Sequence, residues 1–215
     1  MAILTGPQIR DEISWKTIEV DPYDENRVQP NSVDLTLGIG VTVYASVTKL
    51  GPTKEERHHC SSLELSEALV LHPGGLDPRK KNITYGFQMD ESGWSVKPGI
   101  LYLMHSAERV HSKKFVMQLN GKSSLARLGI IVHFTAAFFE TGFNGQCTFE
   151  VSAMHPVRLY PGMAIAQAVY YTTYGQVEDY REKGHYVGDS AKGAVPSRSY
   201  EQFSDTGRGE NLDGD

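Results

Sequence analysis

Cysteine is nearly missing from this chain. Two residues in 215, Cys60 and Cys147, are far apart in sequence. Two thiols cannot build a disulfide framework, so the composition points to a reducing compartment and the expected location is cytoplasmic. Long apolar runs are also absent, with no stretch near the roughly 20 residues that a bilayer crossing needs. The opening Met1-Ala2-Ile3-Leu4-Thr5-Gly6-Pro7 does not read as a signal peptide. No membrane association is expected. Nor is there excess positive charge: 21 Lys and Arg face 26 Asp and Glu, a formal net charge of -5. That balance excludes a general nucleic-acid-binding surface but leaves room for a locally basic pocket. No internal repeat is visible.

The 40% hydrophobic content allows a sizeable core, and the length suits one domain or one domain plus a tail. Thr5-Gly6-Pro7, followed by Ile9, Asp11, Glu12 and Ile13, reads as a capped helix start. Val33, Leu35 and Leu37 alternate with Asp34 and Thr36 as in a half-buried strand, and 41–44 continues as strand. Residues 51–94 read as a long excursion between strands, with some strand at 85–89. It carries the cluster Lys54-Glu55-Glu56-Arg57 and the triplet His58-His59-Cys60. Three adjacent residues in a charged loop rarely close a metal shell. From Pro98-Gly99 onward come short β-rich segments at 100–105, 115–119, 130–136, 146–153 and 164–173. Many short strands with turn signals and only short helices predict an all-β barrel or jelly roll. Trp15 and Trp94 read as packing residues. His133 reads as a strand or subunit-axis residue. The acidic end, 204–215, lacks hydrophobic periodicity and is expected to be disordered.

The most informative stretch is Gly121-Lys122-Ser123-Ser124-Leu125-Ala126-Arg127-Leu128-Gly129. It reads as one helical turn capped by Ser123 or Ser124, with Gly129 suited to a left-handed position after it. Unpaired N–H groups at such a turn attract anions, and Lys122 and Arg127 would add formal charge against a phosphate. The spacing is neither that of a P-loop nor that of a dinucleotide fingerprint.

Several segments, taken in order, resemble the dCTP deaminase family of the trimeric dUTPase-like superfamily. They are Gln29-Pro30-Asn31-Ser32-Val33-Asp34-Leu35-Thr36-Leu37-Gly38, the 121–129 motif, Thr135-Ala136-Ala137-Phe138-Phe139-Glu140-Thr141-Gly142-Phe143, Glu150, Pro161-Gly162-Met163 with Gln167, and Gly193-Ala194-Val195-Pro196-Ser197-Arg198. The similarity runs from about Gln29 to Arg198 and lapses over 51–94. It implies one dUTPase-like domain over 1–203, a distorted β-barrel or jelly roll with 51–94 inserted and 180–203 forming a C-terminal lid. It also implies a homotrimer with sites between subunits, and hydrolytic deamination of dCTP to dUTP and ammonia with Mg²⁺ carried on the substrate phosphates. Some members also cleave dUTP to dUMP and pyrophosphate, and dTTP inhibition is a family expectation.

Deamination at cytosine C4 needs an activated water, a proton for N3 and a proton for departing ammonia. Zinc-dependent cytidine deaminases use His-x-Glu and Pro-Cys-x-x-Cys signatures, and neither occurs here. No protein-held metal and no zinc are therefore expected, and the general base falls to a carboxylate. By resemblance that carboxylate is Glu150. Its apolar neighbours in Cys147-Thr148-Phe149-Glu150-Val151 are expected to desolvate it. A lone strand glutamate is ordinarily a surface residue, and the preceding Ser-Ser-x-x-Arg motif is what favours a catalytic role.

By the same resemblance Ser123 stands beside the reacting carbon and its water, and Arg127 orders that region and supports the phosphates. Lys122 and Ser124 are phosphate contacts. Glu140 stands where the family carries an aspartate on the 3′-hydroxyl. Phe138 or Phe139 would pack under C2′, with at least one of the pair belonging to the core. Thr148 and Phe149 would present backbone groups to the pyrimidine, Gln167 binds nucleotide, and Tyr180 lies near the phosphates. The Thr135-Ala136-Ala137-Phe138 segment, Lys122 and Gln167 resemble the bifunctional deaminase–dUTPase subgroup. The lid departs from the family pattern, with His185 for a lysine and Asp189 for a glutamine. Lys192 then supplies the missing charge, or Asp189 helps hold the metal, or the substrate is the monophosphate dCMP.

Overall fold

The computed structural model describes residues 2–44, 46–47, 61–67, 69–70, 75–182, 184, 186 and 192–203. The expectations for His58-His59-Cys60, His185, Asp189 and the 204–215 tail lie outside the described residues. The chain opens with α1 (Gly6–Ser14), where the Thr5 hydroxyl accepts from the Gln8 N–H at 3.5 Å and Pro7 sits in the first turn. The strands follow as β1 (Ile18–Asp21), β2 (Val33–Thr36), β3 (Gly40–Val43), β4 (Ser46–Val47), α2 (Ser62–Glu67), β5 (Leu69–Val70), β6 (Tyr85–Gln88) and β7 (Trp94–Val96). Then come β8 (Tyr102–Ser112), β9 (Val116–Gly121), α3 (Ser123–Ala126), β10 (Ile130–Ile131), β11 (Phe138–Phe139), β12 (Asn144–Ala153), β13 (Val157–Leu159), β14 (Ala164–Tyr171) and α4 (Ser199–Phe203).

These strands build a six-stranded sheet in the order β10-β12-β8-β3-β6, with β1 also on β8, and a four-stranded sheet in the order β11-β9-β14-β2. The pairs β13-β7 and β4-β5 stand beside them, and every pairing is antiparallel. The expected all-β fold with short helices is borne out. The core holds Leu35, Leu37, Trp94, Tyr102, Met104, Met117, Leu119, Phe149, Leu159 and Tyr170, all almost fully buried.

Three local expectations change. β2 is buried on both faces, not one, because Asp34 and Thr36 find partners inside. β8 continues to Ser112, well past the expected end at 105. Its buried Glu108 accepts from the Thr36 N–H at 2.9 Å and the Thr36 hydroxyl at 2.6 Å and pairs with Arg27, so the charge is satisfied. Trp94 is packed as expected, whereas Trp15 is 63% exposed after α1.

His105 on β8 is held as a neutral ring. The Gly40 N–H donates to Nε2 at 3.0 Å, so Nε2 must be the acceptor, and Nδ1 lies 2.8 Å from the Ser106 carbonyl as donor. Burial lowers its pKa below the ordinary histidine value, and the same cause lowers that of His111. A folded state that resists protonation binds fewer protons than the unfolded chain. These residues therefore contribute stability above about pH 6.5, and it is lost as pH falls through the lowered folded value. Urea midpoints measured from pH 7.5 to pH 5 should decline, and His105→Gln should flatten that decline.

Candidate active site

β12 alternates strictly between half-buried and buried residues. Cys147, Phe149 and Val151 point into the core, while Gln146, Thr148 and Glu150 share the other face. That face forms one wall of a cavity of about 550 Å³. Leu103 on β8 lies opposite Glu150 on one side and Thr42 of β3 on the other. Leu101 and Tyr44 extend this wall. Phe134, Ala136, Phe138 and Phe139 bring in the loop before β11 and β11 itself, and Glu140, Phe143 and Tyr180 close one side.

The Glu150 carboxylate accepts from the Phe134 N–H at 2.9 Å, and its own N–H donates to the Val132 carbonyl at 3.0 Å. One carboxylate oxygen is thus fixed by a backbone donor on a cavity wall. The expected desolvation by sequence neighbours does not arise as described, because Phe149 and Val151 face away from the carboxylate. The aromatic and aliphatic lining comes from other segments. Tyr180 packs against Phe143 with ring centroids 6.5 Å apart, and its N–H donates to the Thr141 carbonyl at 2.9 Å. Beneath it Gly142 adopts φ +92, where a Cβ would meet an Asp179 carboxylate oxygen at 2.2 Å, so glycine is required for that close approach.

The structure divides the expected site residues into two groups. Glu140, Thr148, Glu150 and Tyr180 line the cavity, with Phe138 and Phe139. Lys122, Ser123, Ser124, Arg127 and Gln167 do not. The Lys122 ammonium bonds Asp34 Oδ2 at 2.5 Å, and the Gln29 side chain donates to the same oxygen at 3.1 Å. Among the described residues, Asp34 Oδ1 is buried without a hydrogen-bond partner. Gln167 sits beside this group, across from Asp34 on β2 and Asn120 on β9.

Ser123 and Ser124 are exposed on α3, and Arg127 is exposed at its C-cap. Neither serine caps it, since Lys122 occupies the N-cap position without a side-chain bond and the serines lie inside the first turn. Gly129 is left-handed, as expected, at φ +77. The Phe149 side chain is core and its backbone lies opposite Met104 in the β8–β12 ladder. Lys192 is exposed and outside the cavity lining. His133 follows β10 and is half-buried. Gln146, Tyr44 and Tyr186 were missed as lining residues. Counting back in twos from Glu150 would have found Gln146, and counting on from Thr42 would have found Tyr44.

Residues 3–173 match the family described as dCTP deaminase-like. The chain belongs to the dCTP deaminase-like family. A "dCTP deaminase, dUMP-forming" from Cytophaga hutchinsonii is 34% identical over 201 residues, covering 94% of this chain and 98% of that relative. One of the same description from Clostridium acetobutylicum is 33% identical with the same coverage. The crystal structure of a 2′-deoxycytidine 5′-triphosphate deaminase from Agrobacterium tumefaciens matches in fold, with TM-score 0.54 and 20% identity over 82% of this chain. This deaminase-family chain spans half the length of that one. The family read from the motifs is therefore borne out, as is the reading of an enzyme of this family. Among the described residues no helix is long and apolar enough to cross a membrane.

Proposed function

We propose that this chain converts dCTP to dUMP, by hydrolytic deamination at cytosine C4 followed by hydrolysis between the α- and β-phosphates. Ammonia and pyrophosphate are the other products. The observation that carries this reading is Glu150, a carboxylate fixed by the Phe134 N–H on the wall of a cavity lined by aromatic side chains. The printed names of the relatives favour the two-step outcome over release of dUTP, the simpler expectation.

In the first step Glu150 takes a proton from water as its oxygen attacks C4. The carboxylic acid so formed gives that proton to N3; Glu150 then takes the remaining proton from the new C4 hydroxyl and passes it to the amino nitrogen, so that the C4–N bond breaks, ammonia leaves and the C4 carbonyl forms. Phe138, Phe139 and Phe143 offer flat apolar surface to base and sugar, and Glu140 offers an acceptor for a sugar hydroxyl. Among the described residues no three His, Cys, Asp or Glu side chains converge. Magnesium would accordingly take its ligands from phosphate oxygens and water, and would supply charge neutralisation for the anhydride cleavage.

Ser123 and Arg127 act from a neighbouring copy in this reading. They lie outside the cavity of their own chain, and the surface beside them exposes Leu128, Ile131 and Met154. Backbone pairing brings their positions near one another: the Met154 N–H donates to the carbonyl of Gly129, next to Leu128, at 2.9 Å, and Ile131 pairs opposite Ser152. A homotrimer that buries this patch would bring α3 of one subunit to the cavity of the next. dTTP would compete for the same cavity as a feedback ligand.

Anion-exchange analysis of products from dCTP and Mg²⁺ tests the reaction. Accumulation of dUMP with equimolar ammonia is expected. Accumulation of dUTP would reduce the proposal to its first step, and unchanged dCTP would refute it.

A further inference from the structure

Lys122 is pinned at both ends. Its backbone N–H donates to the Ile165 carbonyl of β14 at 3.2 Å, and its own carbonyl accepts from the Leu125 and Ala126 N–H groups of α3 at 3.1 and 3.0 Å. Its ammonium reaches across to Asp34 Oδ2 on β2. The Asp34 side chain is 9% exposed and that of Lys122 is 22% exposed, so the pair is largely withdrawn from water. Asp34 shares its row of the sheet with Gln167 and Asn120, and neither carries a charge. Apart from Lys122, only the Gln29 amide donates to this carboxylate among the described residues.

This pairing limits what the lysine can do. An unpaired lysine swings on a flexible stem and turns fully to an arriving phosphate. A full turn here would leave a nearly buried carboxylate with an amide donor and no counter-charge, which is strongly unfavourable. An ammonium has three N–H donors, and Asp34 takes one. Among the described residues the Lys122 ammonium makes no other hydrogen bond or ion pair, so the remaining donors stay available while the carboxylate stays paired.

We propose that Asp34 is a positioning residue: it holds the Lys122 ammonium charged and aimed, so that a polyphosphate meets fixed donors and not a roaming cation. The inference rests on the reading of this chain as one that acts on a deoxynucleoside triphosphate, with α3 presented to the cavity of a neighbouring copy. It adds to that reading a residue that acts only through Lys122. By charge alone a carboxylate repels a triphosphate. Its benefit lies in anhydride cleavage, where donors already aimed need no reorganisation as charge develops on the phosphate oxygens.

Asp34→Asn, Lys122→Met and the double variant, each in the full chain, separate this role from a merely structural one. Binding of α,β-imido-dUTP, which resists cleavage, is read by calorimetry, and cleavage is read as dUMP formed from dUTP. Asp34→Asn removes a negative charge and should bind the analogue as the parent does, or up to about threefold tighter, yet cleave dUTP about ten- to a hundredfold more slowly. Lys122→Met should lose both. The double variant should cleave no more slowly than Lys122→Met, because Asp34 has nothing left to aim. Lys122→Met strands the carboxylate and should melt lowest, and the double variant should regain that loss. If Lys122→Met fails to fold, weaker analogue binding by the double variant than by Asp34→Asn carries the comparison.

Nitrogen-15 NMR of the lysine ammonium groups supplies a readout independent of turnover. The Lys122 signal should be rigid in the parent, shift when the analogue binds, and become mobile in Asp34→Asn. Cleavage at the parent rate by Asp34→Asn, or a double variant slower than Lys122→Met, would overturn the inference. So would binding and cleavage that fall together with the melting temperature in Asp34→Asn, which would make Asp34 a fold residue only. A parent protein that leaves dUTP intact would defeat the two-step reading alone. The ammonium signal then judges Asp34: one that stays rigid in Asp34→Asn, or that the analogue leaves unmoved in the parent, would overturn the inference. Failure of the parent to bind the analogue at all would defeat both.

Discussion

Glu150→Gln should release ammonia from dCTP about 10²- to 10⁴-fold more slowly than the parent chain, the range associated with losing a positioned general acid–base group. The amide has nearly the same shape, and its oxygen can still accept from the Phe134 N–H that holds the carboxylate at 2.9 Å. It cannot accept a proton from water and return it. Binding of dCTP, read by calorimetry, should therefore change little while turnover collapses, the pattern of an interaction made in the transition state. The melting temperature should hold too, because the side chain sits on the cavity face of β12, while Phe149 and Val151 beside it face the core. Ammonia release near the parent rate would remove Glu150 from the mechanism. A large loss of binding would make it a ligand-holding group instead.

Arg127→Ala and Glu150→Gln should each be nearly inactive alone, yet a mixture unfolded and refolded together should recover activity. The structure places Arg127 exposed at the C-cap of α3, outside the cavity that Glu150 lines. If each site takes Glu150 from one subunit and Arg127 from another, random reassembly of equal amounts restores an intact pair at about a quarter of sites. Ammonia release by the mixture at roughly that fraction, against near-zero for either parent, is the expected result. No recovery, with mixed oligomers demonstrated by mass spectrometry, would place both residues in one subunit's site. Arg127 suits the experiment because, among the described residues, its guanidinium makes one long 3.5 Å hydrogen bond, to the Ser123 carbonyl, so truncation should not disturb the fold.

How much was legible depends on where each residue's partners lie. The start of α1 rests on Thr5, Gly6 and Pro7, neighbours in sequence, and was readable. The β-rich half from Pro98 onward was readable because turns and period-two patterns are local. Glu108 was not, since a charge in mid-strand reads as a strand end unless its partners are known, and Arg27 lies 81 positions away. Lys122 looked like a free phosphate contact because nothing nearby in the chain reveals its bond to Asp34, 88 positions distant. The site motifs were all visible, but their division between the cavity and α3 was not. Side-chain chemistry says which groups a reaction needs and leaves open which surface each one faces.

The strict alternation of β12 separates two kinds of change. Substitutions at Gln146, Thr148 and Glu150 alter the chemistry of the cavity while Cys147, Phe149 and Val151 keep the packing behind it. Composition on one face is thus free to diverge between relatives without destabilising the other. Length is not. Losing a single residue between Gly145 and Glu150 would exchange the two faces, turning a carboxylate inward and a phenyl ring outward. Lineages of this chain should vary in the spelling of this strand and stay fixed in its count.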